Sequence, residues 1–444
     1  MIEILVVGLS IEFVMAVLLA RNDVLHSSVV VSGVMCMGAF LAKYLLDTSW
    51  EGMKIYGNTV CYILVAVLFY IITENIIKFF FPFKGKGAQL EYISVEFIKL
   101  AVVTVVGMLV FFWHLRFVIT SAGLSTFKEI SVYRQLRLYS NTIHLPRFLS
   151  YGRRFLTCSS YILLYIYINN LVVSRQYKRN IGLLFPSVIC AFDEFIEGGR
   201  MEIVRIVIFA GIVFYILLQR NKGWHYSFSF KNILKLGVAG ILFMVVFTGL
   251  GQMLGRKSST QGVLYNIAFY GGGGTILLDR FLNDSKIVSP FPGYLTLAKM
   301  YADIARRFGI EKYNYVPDME FRTFNGISLG NCYTVLRPYI QDFGLAGMLI
   351  LVCIFSAFFT IYYYRLKTQK RSKKFDFKLM FFGYMFLGPC LFGFDEYFLY
   401  DFFTIGTITF LIEFWIVKIF LLDFHIRHGA KVVIVTLPKT LKSI

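Results

Sequence analysis

Charge is scarce in this 444-residue chain: Asp, Glu, Lys and Arg make up 16% of it, against about 25% in an ordinary soluble domain. That deficit excludes a soluble globule, because the 57% of hydrophobic residues gather in apolar stretches of about 20 residues, each long enough to cross a hydrocarbon core of roughly 30 Å as a helix. A dedicated metal site lacks its usual ligands. His26, His114, His144, His225, His425 and His428 are scattered, and none pairs with cysteine at metal-site spacing. A disulfide framework is also missing: Cys36, Cys61, Cys158, Cys190, Cys353 and Cys390 fall in apolar runs, which leaves Cys332 alone outside them. No Walker-type loop is present, so ATP hydrolysis is not expected. The Gly271–Gly274 run lacks the Lys-Ser/Thr that would follow in a phosphate loop and reads as a hinge or a close backbone approach. No cofactor is expected.

What is there is an all-α polytopic integral membrane protein. The expected spans lie at roughly 2–20, 27–46, 58–81, 97–121, 155–174, 181–197, 202–219, 232–254, 344–364, 379–397 and 401–421, giving about eleven transmembrane helices, ten to twelve within boundary error. The first run starts without a basic leader or a small-residue cleavage site and reads as a retained helix, not a signal peptide. Residues 1–254 thus hold eight helices with short loops, and 255–343 form one large, partly helical loop. Three further helices fill 344–421, and 422–444 is a tail.

Orientation follows from the retention of Lys and Arg on the cytoplasmic side. The segment Arg365 to Lys378 carries seven basic residues and one acid, Asp376. Alternation places Arg175, Lys178 and Arg179 on the same side, together with Arg220, Lys222, Lys231 and the tail. The large loop and Arg200 then face outward. Much of the net charge of +19 is therefore topological, and no nucleic-acid partner is expected. One segment breaks the rule. Residues 122–154 should be external, yet Lys128, Arg134, Arg137, Arg147, Arg153 and Arg154 face a single acid, Glu129. Three explanations stand open: an interfacial amphipathic helix along lipid headgroups, an outer anion site, or a miscounted span.

Within the large loop, residues 296–308 place Leu297, Met300, Tyr301, Ile304 and Phe308 on one helical face. Such a helix either roofs a cavity from the bilayer surface or packs on neighbouring helix ends. The stretch from Tyr313 to Tyr339 then mixes aromatics, Asn, Arg and carboxylates, a combination suited to sugar rings and their hydroxyls.

Two patterns carry a resemblance. Asn331-Cys-Tyr-Thr-Val-Leu-Arg337-Pro-Tyr-Ile-Gln-Asp342-Phe-Gly344-Leu-Ala-Gly347 runs from loop into helix, and Arg200 is followed, after ten residues, by Gly211. Both resemble the Wzy-type oligosaccharide repeat-unit polymerases of O-antigen and capsule synthesis, and more distantly the O-antigen ligases. The resemblance implies a GT-C-like O-antigen polymerase architecture in the bacterial inner membrane, with the tail cytoplasmic and the large loop extracytoplasmic. It also implies a metal-independent glycosyltransferase that transfers a growing glycan from undecaprenyl pyrophosphate to a hydroxyl of another lipid-linked repeat unit. Membrane lipids, a chain-length regulator and a flippase are its implied partners.

Such a transfer builds negative charge on the departing pyrophosphate, which guanidinium groups meet bidentately while staying charged in a low dielectric. Arg200, Arg337 and Arg280 are the candidate cations. Glu320 or Asp318 is the candidate base, although Glu320 could equally pair with Arg322. Arg322, Asn331, Tyr333, Arg147, Asp193 and the second of the two acids are candidate sugar or substrate contacts. Asp193, Glu194 and Glu197 could instead hold Arg200, and Glu74 could pair with Arg116 across two spans. The competing classes are a flippase or transporter of lipid-linked oligosaccharide, which usually shows paired repeats that are absent here, and a ligase. The ligases carry a histidine in their large outer loop, and none occurs between His225 and His425.

Overall fold

The computed structural model describes residues 1–436 except 22, 82–84, 124–128, 139–142, 177, 225–248, 250–261, 285–287, 314, 316, 318, 370–374 and 430–431. Among these, eight helices are long and apolar enough to cross a membrane, which makes the chain an all-α membrane protein. They are α1 (Ile2–Leu19), α2 (Ser27–Thr48), α3 (Gly57–Phe80), α4 (Phe97–Ala122), α6 (Arg147–Ser174), α8 (Met201–Asn221), α11 (Leu336–Lys367) and α15 (Ile405–Lys418), the last running on through a π-turn to Asp423. The other helices are α5 (Ile130–Leu138), α7 (Phe185–Phe195), α9 (Gly262–Asn283), α10 (Ala298–Phe308), α12 (Phe377–Met385), α13 (Leu387–Cys390) and α14 (Leu399–Phe402). Two small antiparallel hairpins complete the list: β1 (Arg322–Phe324) with β2 (Ile327–Gly330), and β3 (His425–Gly429) with β4 (Val432–Thr436).

Two expected spans differ and a third is not described. The span at 181–197 is a 3-10 turn, Lys178–Leu184, followed by the eleven-residue α7. The span at 379–397 ends at Cys390, after which residues 391–398 run without helix into α14. The span at 232–254 lies outside the described residues.

One end of the bundle gathers the basic connections. Lys86 N donates to Lys367 O at 3.0 Å and Ala88 N to Arg220 O at 3.1 Å. Lys367 pairs with Asp23 at 2.6 Å, and Arg220 with Asp376 at 2.7 Å. Asp376 also caps α12 by accepting from Leu379 N at 3.1 Å. Nearby, the buried Glu74 accepts from Ser27 Oγ at 3.0 Å and Ser28 N at 2.8 Å and contacts His26 Nδ1. Arg116 is exposed on α4, so the expected Glu74–Arg116 pair is replaced by a contact local to the α2 N-terminus.

At the opposite end, the large loop opens with α9. Its ends touch the α2–α3 connection: Trp50 Nε1 donates to Tyr265 Oη at 3.3 Å, and Asp279 Oδ1 accepts from Tyr56 N at 2.8 Å and Thr59 Oγ1 at 2.6 Å. The glycine run explains how α9 fits there. A Cβ at Gly272 would sit 2.3 Å from Ala42 N, and one at Gly274 would sit 2.8 Å from Gly393 O and 3.4 Å from Cys332 O. The run is therefore a close backbone approach inside a helix, the small-residue packing by which membrane helices meet. It brings α2, residues 391–398 and the stretch before α11 together.

Candidate active site

The site is built where β2 leads into α11. Tyr333, Thr334 and Val335 are buried, and Val335 N donates to Phe392 O at 3.1 Å, which ties the start of α11 to the non-helical 391–398 segment. Arg337 follows in the first turn and is 1% exposed. Its guanidinium lies 3.8 Å from the Tyr333 ring centroid and 4.9 Å from that of Phe281, a stacking arrangement that keeps a cation in an apolar setting. Nη2 pairs with Glu320, and Nε reaches Gln341 Oε1 at 3.4 Å. Nη1 is buried with no hydrogen-bond partner among the described residues, and Thr334 Oγ1 and Arg280 Nε share that condition. A buried unsatisfied donor costs about 1–3 kcal/mol, more when charged. Thr334 and Arg337 share one stretch, and Arg280 comes from α9 beside Phe281, on which Arg337 stacks.

Glu320 is committed to cations. Oε1 accepts from Arg322 Nε at 3.0 Å and from Tyr333 Oη at 3.1 Å, while Oε2 meets Arg337. Burial raises its carboxyl, but the hydrogen bonds and charges of Arg337 and Arg322 outweigh that and hold it below the usual carboxylate range. Glu320 thus serves as a counter-ion and makes a poor base. Arg322 also pairs with Asp284 at 2.5 Å, and Arg280 stacks 4.7 Å over Phe324. The β1–β2 hairpin therefore holds Arg280, Arg322 and Glu320 together around Arg337. Asp318 lies outside the described residues.

Beside this cluster is a cavity of about 450 Å³, within the range of ligand pockets. Asn331, Cys332 and Pro338 line it from the α11 side, Asp395, Glu396 and Tyr397 from the 391–398 segment, and Tyr400 and Asp401 from α14. Lys299 of α10 and Arg134 of α5 bring cations to its wall. Lys299 pairs with Asp401 at 2.5 Å and stacks 4.1 Å over Tyr400, and Arg205 takes the other Asp401 oxygen at 2.9 Å. Helix α10 both roofs the cavity and packs on helix ends, since Asp303 accepts from Gly406 N at 3.2 Å. Its buried positions are Ala298 and Ala305, and of the expected apolar face Leu297, Met300, Tyr301 and Ile304 are half-buried while Phe308 is exposed. Several aromatics of the loop stack on each other, as Tyr294 on Tyr315 at 4.5 Å and Tyr301 on Tyr313 at 5.2 Å. Those four rings form loop core.

The Asp342-Phe-Gly344 entry to α11 has its own local causes. Asp342 accepts from Ser289 Oγ at 2.5 Å and from Leu295 N and Thr296 N at 3.0 and 2.8 Å, which anchors the approach to α10. Gly344 adopts φ 69° and ψ −173° inside the helix, a break open to glycine.

Arg200 stands apart. It is 6% exposed at the start of α8, and its Nη2 donates to Tyr270 Oη at 3.2 Å. Tyr270 packs on Phe394, next to Asp395. Ten residues of α9 separate Tyr270 from Arg280, about 15 Å along a helix, so Arg200 approaches the 391–398 segment from a different side than Arg337. Asp193, Glu194 and Glu197 meet other cations in the described contacts. Asp193 accepts from Arg153 Nε at 2.6 Å and contacts His114 Nδ1 at 2.8 Å. Glu194 takes Arg153 Nη2 at 3.1 Å, and Glu197 meets Arg153 and Arg137. The basic segment therefore divides its work: Arg137 and Arg153 neutralise these acids, while Arg134 donates to Gly198 O at 2.9 Å and faces the cavity. Arg147 is exposed at the first turn of α6.

Sequence reasoning missed Asp395, Glu396 and Asp401. The signal was present in Phe394-Asp-Glu-Tyr-Phe-Leu-Tyr-Asp401, three acids amid apolar runs, because acids among apolar residues need a partner or a task. No protein-family model matches the chain, and neither a curated protein nor a solved structure matches it.

Proposed function

We propose that the protein polymerises undecaprenyl-pyrophosphate-linked oligosaccharide repeat units into O-antigen, capsule or exopolysaccharide at the outer leaflet of the bacterial plasma membrane. The observation that carries this reading is Arg337, a buried guanidinium with Nη1 unpartnered among the described residues, whose chain neighbour Pro338 lines a cavity of about 450 Å³. A preorganised cation of this kind stabilises the charge that develops on a departing pyrophosphate and needs no reorganisation during the step. Arg280 and Thr334 add donors from the same neighbourhood. Asn331, Tyr397 and Tyr400 line the cavity with the amide and aromatic surfaces that suit sugar hydroxyls and ring faces.

The side of the membrane follows from charge. The end that gathers Lys86, Arg220 and Lys367 is placed in the cytoplasm by the retention of basic residues there. The cavity, at the other end, then faces the compartment where lipid-linked repeat units await polymerisation.

A strain lacking the protein tests the assignment. Polymerisation alone should be lost, leaving surface glycan of single-repeat length. Complete absence of surface glycan would instead mark a flippase.

A further inference from the structure

We propose that Asp395 is the general base of the transfer, an inference that rests on the polymerase assignment above. Among the described residues four acids stand in or next to the cavity, and three are occupied. Glu320 is held by Arg337, Arg322 and Tyr333. Asp401 is fixed between Lys299 and Arg205. Glu396 accepts from Phe398 N at 3.0 Å, Leu399 N at 2.8 Å and Tyr400 N at 2.6 Å, and from Tyr339 Oη at 3.1 Å, so its carboxylate serves to start α14. Asp395 differs: Oδ1 accepts from Glu396 N at 2.8 Å, no cation pairs with it among the described residues, and it lines the cavity beside Asn331 and Pro338.

The segment that carries it is rigidly placed. Phe394 N donates to Leu391 O at 2.8 Å, Val335 N to Phe392 O at 3.1 Å, and Gly274 admits Gly393 O so closely that a Cβ would lie 2.8 Å away. The carboxylate is thus held by backbone contacts on both sides, as a proton acceptor must be if it is to meet a hydroxyl in one geometry. Burial also pushes its carboxyl up to about 7, close to the pH at which a base works best. The groups sharing the cavity wall with it are Lys299 of α10, Arg134 of α5, and Glu396, Tyr397, Tyr400 and Asp401 of its own segment and α14. Arg337 of α11 and Lys299 moderate the rise.

In the step, the acceptor hydroxyl oxygen forms a bond to the anomeric carbon of the donor glycan while the bond from that carbon to the pyrophosphate oxygen breaks. The hydroxyl proton passes to Asp395, and the bonding pair leaves with undecaprenyl pyrophosphate. The proton then returns to water.

The test uses membrane vesicles from a strain without the chromosomal copy that carries each variant, the probe being the host's own accumulated lipid-linked repeat units. Asp395→Asn should slow elongation by about 10²-fold or more and abolish the acid limb of the pH–rate profile at unchanged protein level. Asp395→Glu should keep that limb, displaced along the pH axis, with a smaller loss of rate. Elongation by Asp395→Asn at close to the wild-type rate, or with the acid limb intact, would overturn the assignment. If the Asn variant fails to accumulate, the Glu variant decides: a displaced limb supports the base, an unmoved limb overturns it. Arg337→Ala in the same vesicles separates the two claims. If it is inactive while Asp395→Asn elongates, only the base is lost. If it elongates normally, the anion role of Arg337 falls, and elongation by vesicles that lack the protein altogether would overturn the polymerase assignment.

Discussion

Two clusters of buried charge lie at the same end of the molecule, and they are finished differently. Around Arg153, three acids face two guanidiniums and His114; Arg153 meets Asp193, Glu194 and Glu197 at once. Around Arg337, the guanidinium has one acid, two aromatic faces and an Nη1 left over. In the first cluster each acid meets a guanidinium, whereas in the second Arg337 Nη1 meets no hydrogen-bond partner among the described residues. Density of charge therefore does not mark the site in this fold. The guanidinium that stacks on two aromatic faces and keeps a free donor is the one whose chain neighbours, Cys332 and Pro338, line a cavity.

That contrast breaks most visibly at the two arginines. Arg337→Ala should reduce elongation by at least about 10²-fold, the scale of losing one donor to a developing anion, with normal protein in the membrane and surface glycan stopped at single-repeat length. Arg153→Met should act on the fold, because removing one partner of a buried ion network costs about 3–5 kcal/mol; the amount of folded protein in detergent should fall, and the surviving fraction should still elongate. If the two phenotypes are exchanged, the functional and structural labels on the clusters are exchanged with them.

A smaller effect is expected where backbone packing supports the site. Gly274→Val forces side-chain atoms against Gly393 O and Cys332 O and should cost about 1–3 kcal/mol of overpacking, read as slower elongation and a lower melting temperature. Gly211→Ala has nothing within 4 Å of the added methyl and should elongate as wild type, although Gly211 completes the arginine–glycine pattern.

The smallest effects belong to Glu320. As a counter-ion, Glu320→Gln should retain far more activity than the 10²–10⁴-fold loss that accompanies removal of a base, and its pH–rate profile should keep the wild-type acid limb. Because the folded carboxyl sits below its unfolded value, its contribution to docking the β1–β2 hairpin is fully present above the unfolded value of about 4.3 and is lost as pH falls through the lower folded value. Hydrogen exchange of residues 322–330 should accordingly stay slow down to about pH 4 and speed up only below it.

Much of this plan was legible in the chain. Eight spans are visible as apolar runs because lipid leaves a helix no choice but to be apolar over its length. Arg337 was legible through the residues around it. Helix α9 was not, since Tyr265, Asn266, Tyr270 and four glycines dilute its hydropathy, and its glycines make sense only against Ala42 and Gly393. The break after Cys390 was hidden for the opposite reason: Leu391, Phe392 and Phe394 continue an apolar run while the backbone leaves the helix. Pairings such as Arg153 with Asp193, or Glu74 with His26, join residues 40 and 48 positions apart, which periodicity does not encode.

The central claim, that the open donor of Arg337 is an anion site, is tested most directly by the affinity of the purified protein for undecaprenyl pyrophosphate, measured for wild type and Arg337→Ala in the same detergent. A lost hydrogen bond to a charged group is worth about 1.5–3 kcal/mol, so the variant should bind roughly 10- to 150-fold more weakly. Equal affinities in a variant that remains folded would contradict the account.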